Sequence, residues 1–251
     1  MAMTACTREI RYVWFDQDDT LYNYQDAMRR ALSACLGLIH DRFSRTRERL
    51  GAAELMQIRR EISGRPDCAT LDLVEARCEA FRETLDRYAR PDDGLARMLT
   101  ETYFSTLRSG IRPFPGVVEC LRTLGDEGYV LGILSNGISY LDELSLAGFF
   151  DHSVYAMETL LYKPDAAIFA HAMSVTGARP EQCLLVGDSH ICDVLGAREA
   201  GWAAVWLNRD GRRWEIKAEP PELVVEDFAE IPSLIAELNV SRVTSGERSR
   251  R

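Results

Sequence analysis

Short, almost unbroken apolar runs punctuate the chain, and in its second half they are separated by stretches of helical period. The runs are RYVWFD (11–16), YVLGILSN (129–136), CLLVGD (183–188), AAVWLN (203–208) and LVVED (223–227). Because they hardly alternate with polar residues, they predict strands covered on both faces, as in a parallel sheet. Between them, VVECLRTLGDEG runs to a glycine stop, PDAAIFAHAMSVTG opens on Pro-Asp and ends at Gly177, and ICDVLGAREAG ends at Gly201. These are helix boundaries. Strand–helix alternation over 113–237 predicts an α/β fold with a doubly wound, Rossmann-like parallel sheet.

Residues 24–110 follow a different rule. Met28, Ala31, Leu32 and Cys35 form one helical stripe, Val74, Cys78, Phe81, Leu85 and Tyr88 another, and Leu95, Met98, Leu99 and Tyr103 a third. About four helices are thus expected as an insertion, with RPFPG (112–116) as the re-entry linker. The expected division is 1–23 and 111–240 as the α/β core, 24–110 as a helical cap, and 241–251 as a disordered polar tail.

Composition narrows the function classes. With 39 acidic against 30 basic residues and a formal charge of −9, the chain is a poor candidate for binding a nucleic acid polymer or an anionic membrane. No apolar run reaches the roughly 18 residues that a bilayer span requires, and MAMTACTREIRYVWFD lacks a signal-peptide apolar region. The seven cysteines include no CxxC pair, which fits reduced thiols and a cytoplasmic location.

The chemistry concentrates at strand ends. VWFDQDDTLY sets Asp16, Asp18 and Asp19 within four residues directly after a strand, an arrangement that like-charge repulsion and burial both disfavour. A divalent cation would relieve it, and hard carboxylate and carbonyl oxygens suit Mg²⁺. A solvated, helix-capping turn is the other reading of this stretch. ILSNG places Ser135, Asn136 and Gly137 after a second strand, and LLVGDSHICD places Asp188 after another, with Asp193 five residues on. Only two of the basic residues are lysines, and one of them, Lys163, stands just before Pro164-Asp165 at a predicted helix start, where an ammonium and unpaired N–H groups suit a phosphate. None of His40, His152, His171 and His190 has metal-ligand spacing, and His190 reads as a solvated loop residue.

In sequence, DQDDT, SNG, KPDAAIF and GDSHICD resemble the four motifs of the haloacid dehalogenase-like hydrolase superfamily, with the insertion where that family carries its type-1 helical cap. DDTLYNYQDAMRRAL and AGWAAVWLNR further resemble the branch containing pyrimidine 5′-nucleotidases and N-acylneuraminate-9-phosphatases. The resemblance implies a phosphatase in which Asp16 is the nucleophile forming an aspartyl-phosphate and Asp18 the general acid/base. It implies phosphate binding by Ser135, Asn136 and Lys163. It also implies Mg²⁺ held by Asp16, the Asp18 backbone carbonyl and Asp188, with Asp193 in support. Asp19 replaces a frequent glycine and receives no catalytic role. The expected partner is a small phosphorylated metabolite, a nucleoside monophosphate or sugar phosphate, bound by a monomer or homodimer. A non-catalytic phosphometabolite-binding protein is the alternative of a different class; a phosphomutase or dehalogenase of the same fold ranks lower. Tyr22, Tyr24 and Tyr103 are expected to pack rather than to stack on a base.

Overall fold

The computed structural model describes residues 9–248, apart from 66, 67, 69, 70 and 139. Its strands are β1 (Tyr12–Phe15), β2 (Val130–Ser135), β3 (His152–Tyr155), β4 (Cys183–Gly187), β5 (Ala203–Leu207) and β6 (Val224–Val225). They form one sheet in the order β3-β2-β1-β4-β5-β6, and every pairing is parallel. This is the doubly wound α/β sheet that the apolar runs predict. The pattern passes over β3, which lies at the sheet edge with Ser153 exposed and only Val154 fully buried. A strand covered on one side only carries too short an apolar run to stand out.

Contacts divide the chain into two compact units. One comprises residues up to Asn23 and from Arg112 onward; the other is Tyr24–Ile111. The second unit contains α1 (Tyr24–Arg42), α2 (Ala52–Ser63), α3 (Leu73–Tyr88) and α4 (Asp93–Gly110). Its core draws Met28, Ala31, Leu32, Cys35 and Ile39 from α1 and Leu95, Leu99, Tyr103 and Leu107 from α4. Helix α3 starts at a capping box, in which Asp72 accepts from the Glu75 N–H at 2.8 Å and the Glu75 carboxylate accepts from the Asp72 N–H at 3.2 Å.

The burial of α3 departs from its apolar stripe. Val74 is 51% exposed and Cys78 and Tyr88 are only half-buried, while Arg77, Ala80, Phe81, Thr84 and Leu85 are buried. The buried set keeps helical spacing, but the face is turned so that an arginine goes inside and a valine outside. Met98 of the α4 stripe is likewise 46% exposed.

In the first unit, α5 (Val117–Asp126), α6 (Ala156–Thr159), α7 (Ala166–Thr176), α8 (Gly196–Glu199) and α9 (Ile231–Arg248) accompany the sheet. Trp14, Leu134, Val154 and Leu185 pack with Ile168, Phe169 and Ala172 of α7 and with Trp202. Removing each large side chain here from water contributes about 1.5–3 kcal/mol. The polar tail is not structureless as expected: from residue 241 it continues α9 as far as Arg248, and 249–251 lie outside the described residues. With Ile231 and Ile235 buried at its start, adding further turns to α9 carries no nucleation penalty. Among the described residues, no helix is long and apolar enough to cross a membrane, and the six described cysteines are free.

Candidate active site

Strand order reverses at β1, which has β2 on one side and β4 on the other. In such sheets a crevice opens beyond the carboxyl ends of the strands at the switch point. Phe15 is in register with Ile133 of β2 and Val186 of β4. The residues that follow these three strands therefore reach one edge together: Asp16–Thr20, Ser135–Gly137 and Asp188–Asp193.

Lys163 ties these segments to one another. Its ammonium donates to Asp16 Oδ1 at 2.7 Å and to Asp193 Oδ1 at 2.6 Å, with the whole residue 3% exposed. Burial works against the charge, but the Asp16 and Asp193 carboxylates overcome it and hold the Lys163 pKa above its ordinary value. Asp193 is fully enclosed, and burial pushes its pKa up against the pull of Lys163. Its Oδ2 accepts from the Ser189 N–H at 2.9 Å, so both oxygens are engaged. Gly187 makes room for that carboxylate, since a Cβ at this position would stand 2.3 Å from Asp193 Oδ2.

Asn136 departs from the role implied by the resemblance. Its Nδ2 donates to the Lys163 carbonyl at 2.9 Å, and its Oδ1 accepts from the Lys163 N–H at 2.8 Å. The carboxamide is closed on the lysine backbone instead of facing an oxyanion, so it fixes the position of Lys163. Ser135 is buried, and its Oγ accepts from the Gly137 N–H at 3.0 Å.

Asp18 turns toward the same point. A Cβ on Gly137 would lie 2.6 Å from Asp18 Oδ2 and 3.5 Å from Ser135 Oγ, which brings the first acidic loop against the SNG turn. Burial, reinforced by the neighbouring Asp16 charge, pushes the Asp18 pKa up to about 7. Asp18 Oδ1 is buried without a hydrogen-bond partner. Asp19 adopts φ 59°, which explains the frequent glycine at this place: the left-handed region suits glycine best and tolerates aspartate better than most residues.

Several supporting residues escape the motif reading. Arg209, one residue beyond Asn208 at the end of the β5 run, donates to the Asp19 carbonyl and, at 2.9 Å, to the Thr20 carbonyl. Its guanidinium lies 3.4 Å from the centroid of the Phe114 ring. Arg212 donates to Asp188 Oδ2 at 3.0 Å and to the Asp188 carbonyl at 2.6 Å. The Thr20 hydroxyl accepts from the Asp188 N–H at 3.1 Å. The basic run NRDGRR after a predicted strand was the available signal. His190 is not a solvated loop residue: its ring lies 4.6 Å from that of Trp206 and 4.7 Å from that of Trp214. Tyr22 and Tyr103 are buried and pack, as expected.

Oxygens of Asp16, Asp188 and Asp193 lie within 4.8 Å of one another. Burial and the Asp16 charge raise the Asp188 pKa. Since Lys163 and Ser189 already engage Asp193, the acceptors left for a ligand belong to Asp16, Asp188 and Asp18. This hard-oxygen set, with an orphaned carboxylate oxygen beside it, fits a divalent cation.

Comparison with known proteins agrees with this architecture. Residues 10–201 match the family of haloacid dehalogenase-like hydrolases. A glyceraldehyde 3-phosphate phosphatase of Methanothermobacter thermautotrophicus is 30% identical over 207 residues, covering 80% of this chain and 87% of that protein. The Mus musculus N-acylneuraminate-9-phosphatase is 25% identical over 242 residues, covering 92% and 95%. The solved 2-haloacid dehalogenase of Pseudomonas syringae pv. Tomato DC3000 superimposes with a TM-score of 0.72 at 25% identity, covering 91% of this chain and 99% of that one. The strand ends, the buried lysine between two carboxylates and the match across most of the chain lead to one assignment: this protein belongs to the haloacid dehalogenase-like hydrolases.

Proposed function

We propose that the protein is a Mg²⁺-dependent phosphatase acting on a small phosphate monoester, a nucleoside monophosphate or sugar phosphate, through an aspartyl-phosphate on Asp16. The observation that carries this reading is the clamp of buried Lys163 on Asp16 Oδ1, with the Asp18 carboxyl pressed against the Ser135–Gly137 turn. Lys163 fixes one oxygen of Asp16 and leaves Oδ2 to attack phosphorus. As the new O–P bond forms, the P–O bond to the alcohol breaks, and its electron pair passes to the leaving oxygen, which takes a proton from Asp18. In the second half, Asp18 accepts a proton from water as its oxygen attacks phosphorus, and the Asp16 carboxylate departs. The Lys163 ammonium and the Ser135 hydroxyl, which accepts from the Gly137 N–H and has its own proton to donate, offset charge on the phosphoryl oxygens. Mg²⁺, held by Asp16, Asp188 and the Asp18 backbone carbonyl, would supply Lewis-acid stabilisation of those oxygens. Asn136 and Asp193 position Lys163, while Arg209 and Arg212 position the acidic loops.

Hydrolytic dehalogenation is the second reading, favoured by the likeness to a solved 2-haloacid dehalogenase. A halide leaves without a proton, so that reaction has no task for a buried carboxyl two residues after the nucleophile, whereas an alkoxide leaving group needs one. The six described cysteines are free and four of them are buried, which supports a reducing, cytoplasmic setting. The test is phosphate release across a metabolite panel with and without Mg²⁺, beside halide release from 2-haloacids, with Asp16→Asn as control. Mg²⁺-dependent phosphate release lost in the variant is expected. Halide release alone, or no turnover at all, would overturn the reading.

A further inference from the structure

Two cations pair with carboxylates at the strand ends, and they are held differently. The Lys163 side chain is 1% exposed and sits between Asp16 and Asp193. The Arg212 side chain is 43% exposed, and its Nη2 donates to Asp188 twice, at the carboxylate and at the carbonyl.

The backbone that carries Arg212 is built into a turn directly after β5. Asn208 is buried; its Oδ1 accepts from the Arg212 N–H at 2.8 Å, and its Nδ2 donates to the Arg212 carbonyl at 3.1 Å. Asn136 grips Lys163 in the same way. The Gly211 N–H donates to the Asn208 carbonyl at 3.3 Å, and Gly211 takes φ 61°, which glycine adopts without strain. The segment NRDGR thus presents a guanidinium to Asp188 from a fixed base.

Under the metal reading of the proposed function, on which the inference rests, Asp188 is also a ligand for Mg²⁺. An oxygen that accepts from a guanidinium is a weaker ligand for a second cation, and two positive charges brought to one carboxylate repel each other. Asp16 repels the Asp188 carboxylate and Arg212 offsets that repulsion, which is part of what a divalent cation would do there. An arginine this exposed withdraws into water at little cost, whereas the enclosed Lys163 has no such exit.

We propose that Arg212 competes with the divalent cation for Asp188 and thereby lowers the affinity of the strand ends for it.

The experiment uses the full-length wild type with Arg212→Met, Arg212→Lys and Arg213→Met variants, stripped with EDTA, dialysed and titrated calorimetrically with MgCl₂ and separately with MnCl₂ at fixed ionic strength. Arg212→Met is expected to bind either cation about tenfold tighter than the wild type. Arg212→Lys should fall between the two, because an ammonium keeps the charge without the planar fork. Arg213→Met removes the same charge from the exposed neighbouring position and should stay within about twofold of the wild type. Thermal unfolding gives a second readout. In EDTA the Arg212→Met midpoint should lie about 2–4 °C below that of the wild type, and saturating MgCl₂ should close the gap. An arginine that merely orients Asp188 would give the opposite sign, since losing such a support weakens metal binding by roughly 10–100-fold. Unchanged or weaker binding by Arg212→Met, or equal tightening by Arg213→Met, would overturn the proposal and leave the metal reading standing. No binding by any of the proteins would remove both. If Arg212→Met does not fold, Arg212→Lys decides: tighter binding than the wild type upholds the proposal, and equal or weaker binding ends it.

Discussion

The two units treat buried charge in opposite ways. In the α/β unit, Lys163 is enclosed but touches two carboxylates, and Asn136 holds its backbone by both N–H and carbonyl. In the helical unit, Arg77 is nearly as enclosed but meets the hydroxyl and ring of Tyr103 instead of a carboxylate. The first is a charge network completed by the fold and set in place before any ligand arrives, as electrostatic preorganisation requires. The second is met by the Tyr103 hydroxyl and ring, with no carboxylate beside it among the described residues.

Substitutions can test that contrast, starting with the largest effect. Asp16→Asn preserves shape and an acceptor for Lys163 but removes the nucleophile, so phosphate release should fall by about 10⁴-fold or more, with an unfolding midpoint near that of the wild type; an assay of initial rates beside a thermal melt checks both. Lys163→Met gives the α/β unit the uncompensated charge that the helical unit already has. It leaves Asp16 and Asp193 buried without their cation and should cost about 3–5 kcal/mol of stability in urea titrations, together with activity. Asn136→Ala removes two hydrogen bonds that seat Lys163. A stability loss of about 1–3 kcal/mol is expected, with kcat reduced more than KM is raised, because the lysine remains but is less well placed. Arg77→Met should change stability by less than about 1 kcal/mol in either direction, since replacing an uncompensated buried charge by an apolar side chain is often neutral or favourable. A loss for Arg77→Met as large as that for Lys163→Met would remove the distinction between the two units.

The core strands and the acidic positions were legible in the sequence for separate reasons. Strands buried on both faces need unbroken apolar residues, so β1, β2, β4 and β5 announce themselves, and the residues that end them sit at the sheet edge by necessity; β6 was legible from its Leu-Val-Val run although it is an edge strand with Val224 exposed. Asp16, Asp18, Ser135 and Asp188 could be picked out because polar residues are costly at the end of such runs unless something there uses them, while Lys163 stood out as one of only two lysines, at a predicted helix start, and Asp193 by following Asp188 at five residues. Asn136 could be located in this way, but its role could not: an amide near a phosphate and an amide that grips a lysine backbone look the same along the chain. Arg209 and Arg212 follow β5 in a loop whose path no periodicity encodes, and their carbonyl partners lie about 190 residues and 24 residues away. The stripe on α3 misled for a related reason. Period fixes which residues share a face but not which face turns inward, and Val74 and Arg77 lie close enough around the helix for packing to choose between them.

Sequence alone therefore determined the α/β class, the strand ends and the residue types available there, because local burial and chain direction follow from the order of apolar and polar residues. Tertiary structure alone decided which charges meet: Lys163 with Asp16 across 147 residues and with Asp193 across 30, Asn136 with Lys163, and Arg77 with no carboxylate at all among the described residues. Electrostatic partnership depends on distances of a few ångströms between segments far apart in the chain, and only the packed fold sets those distances.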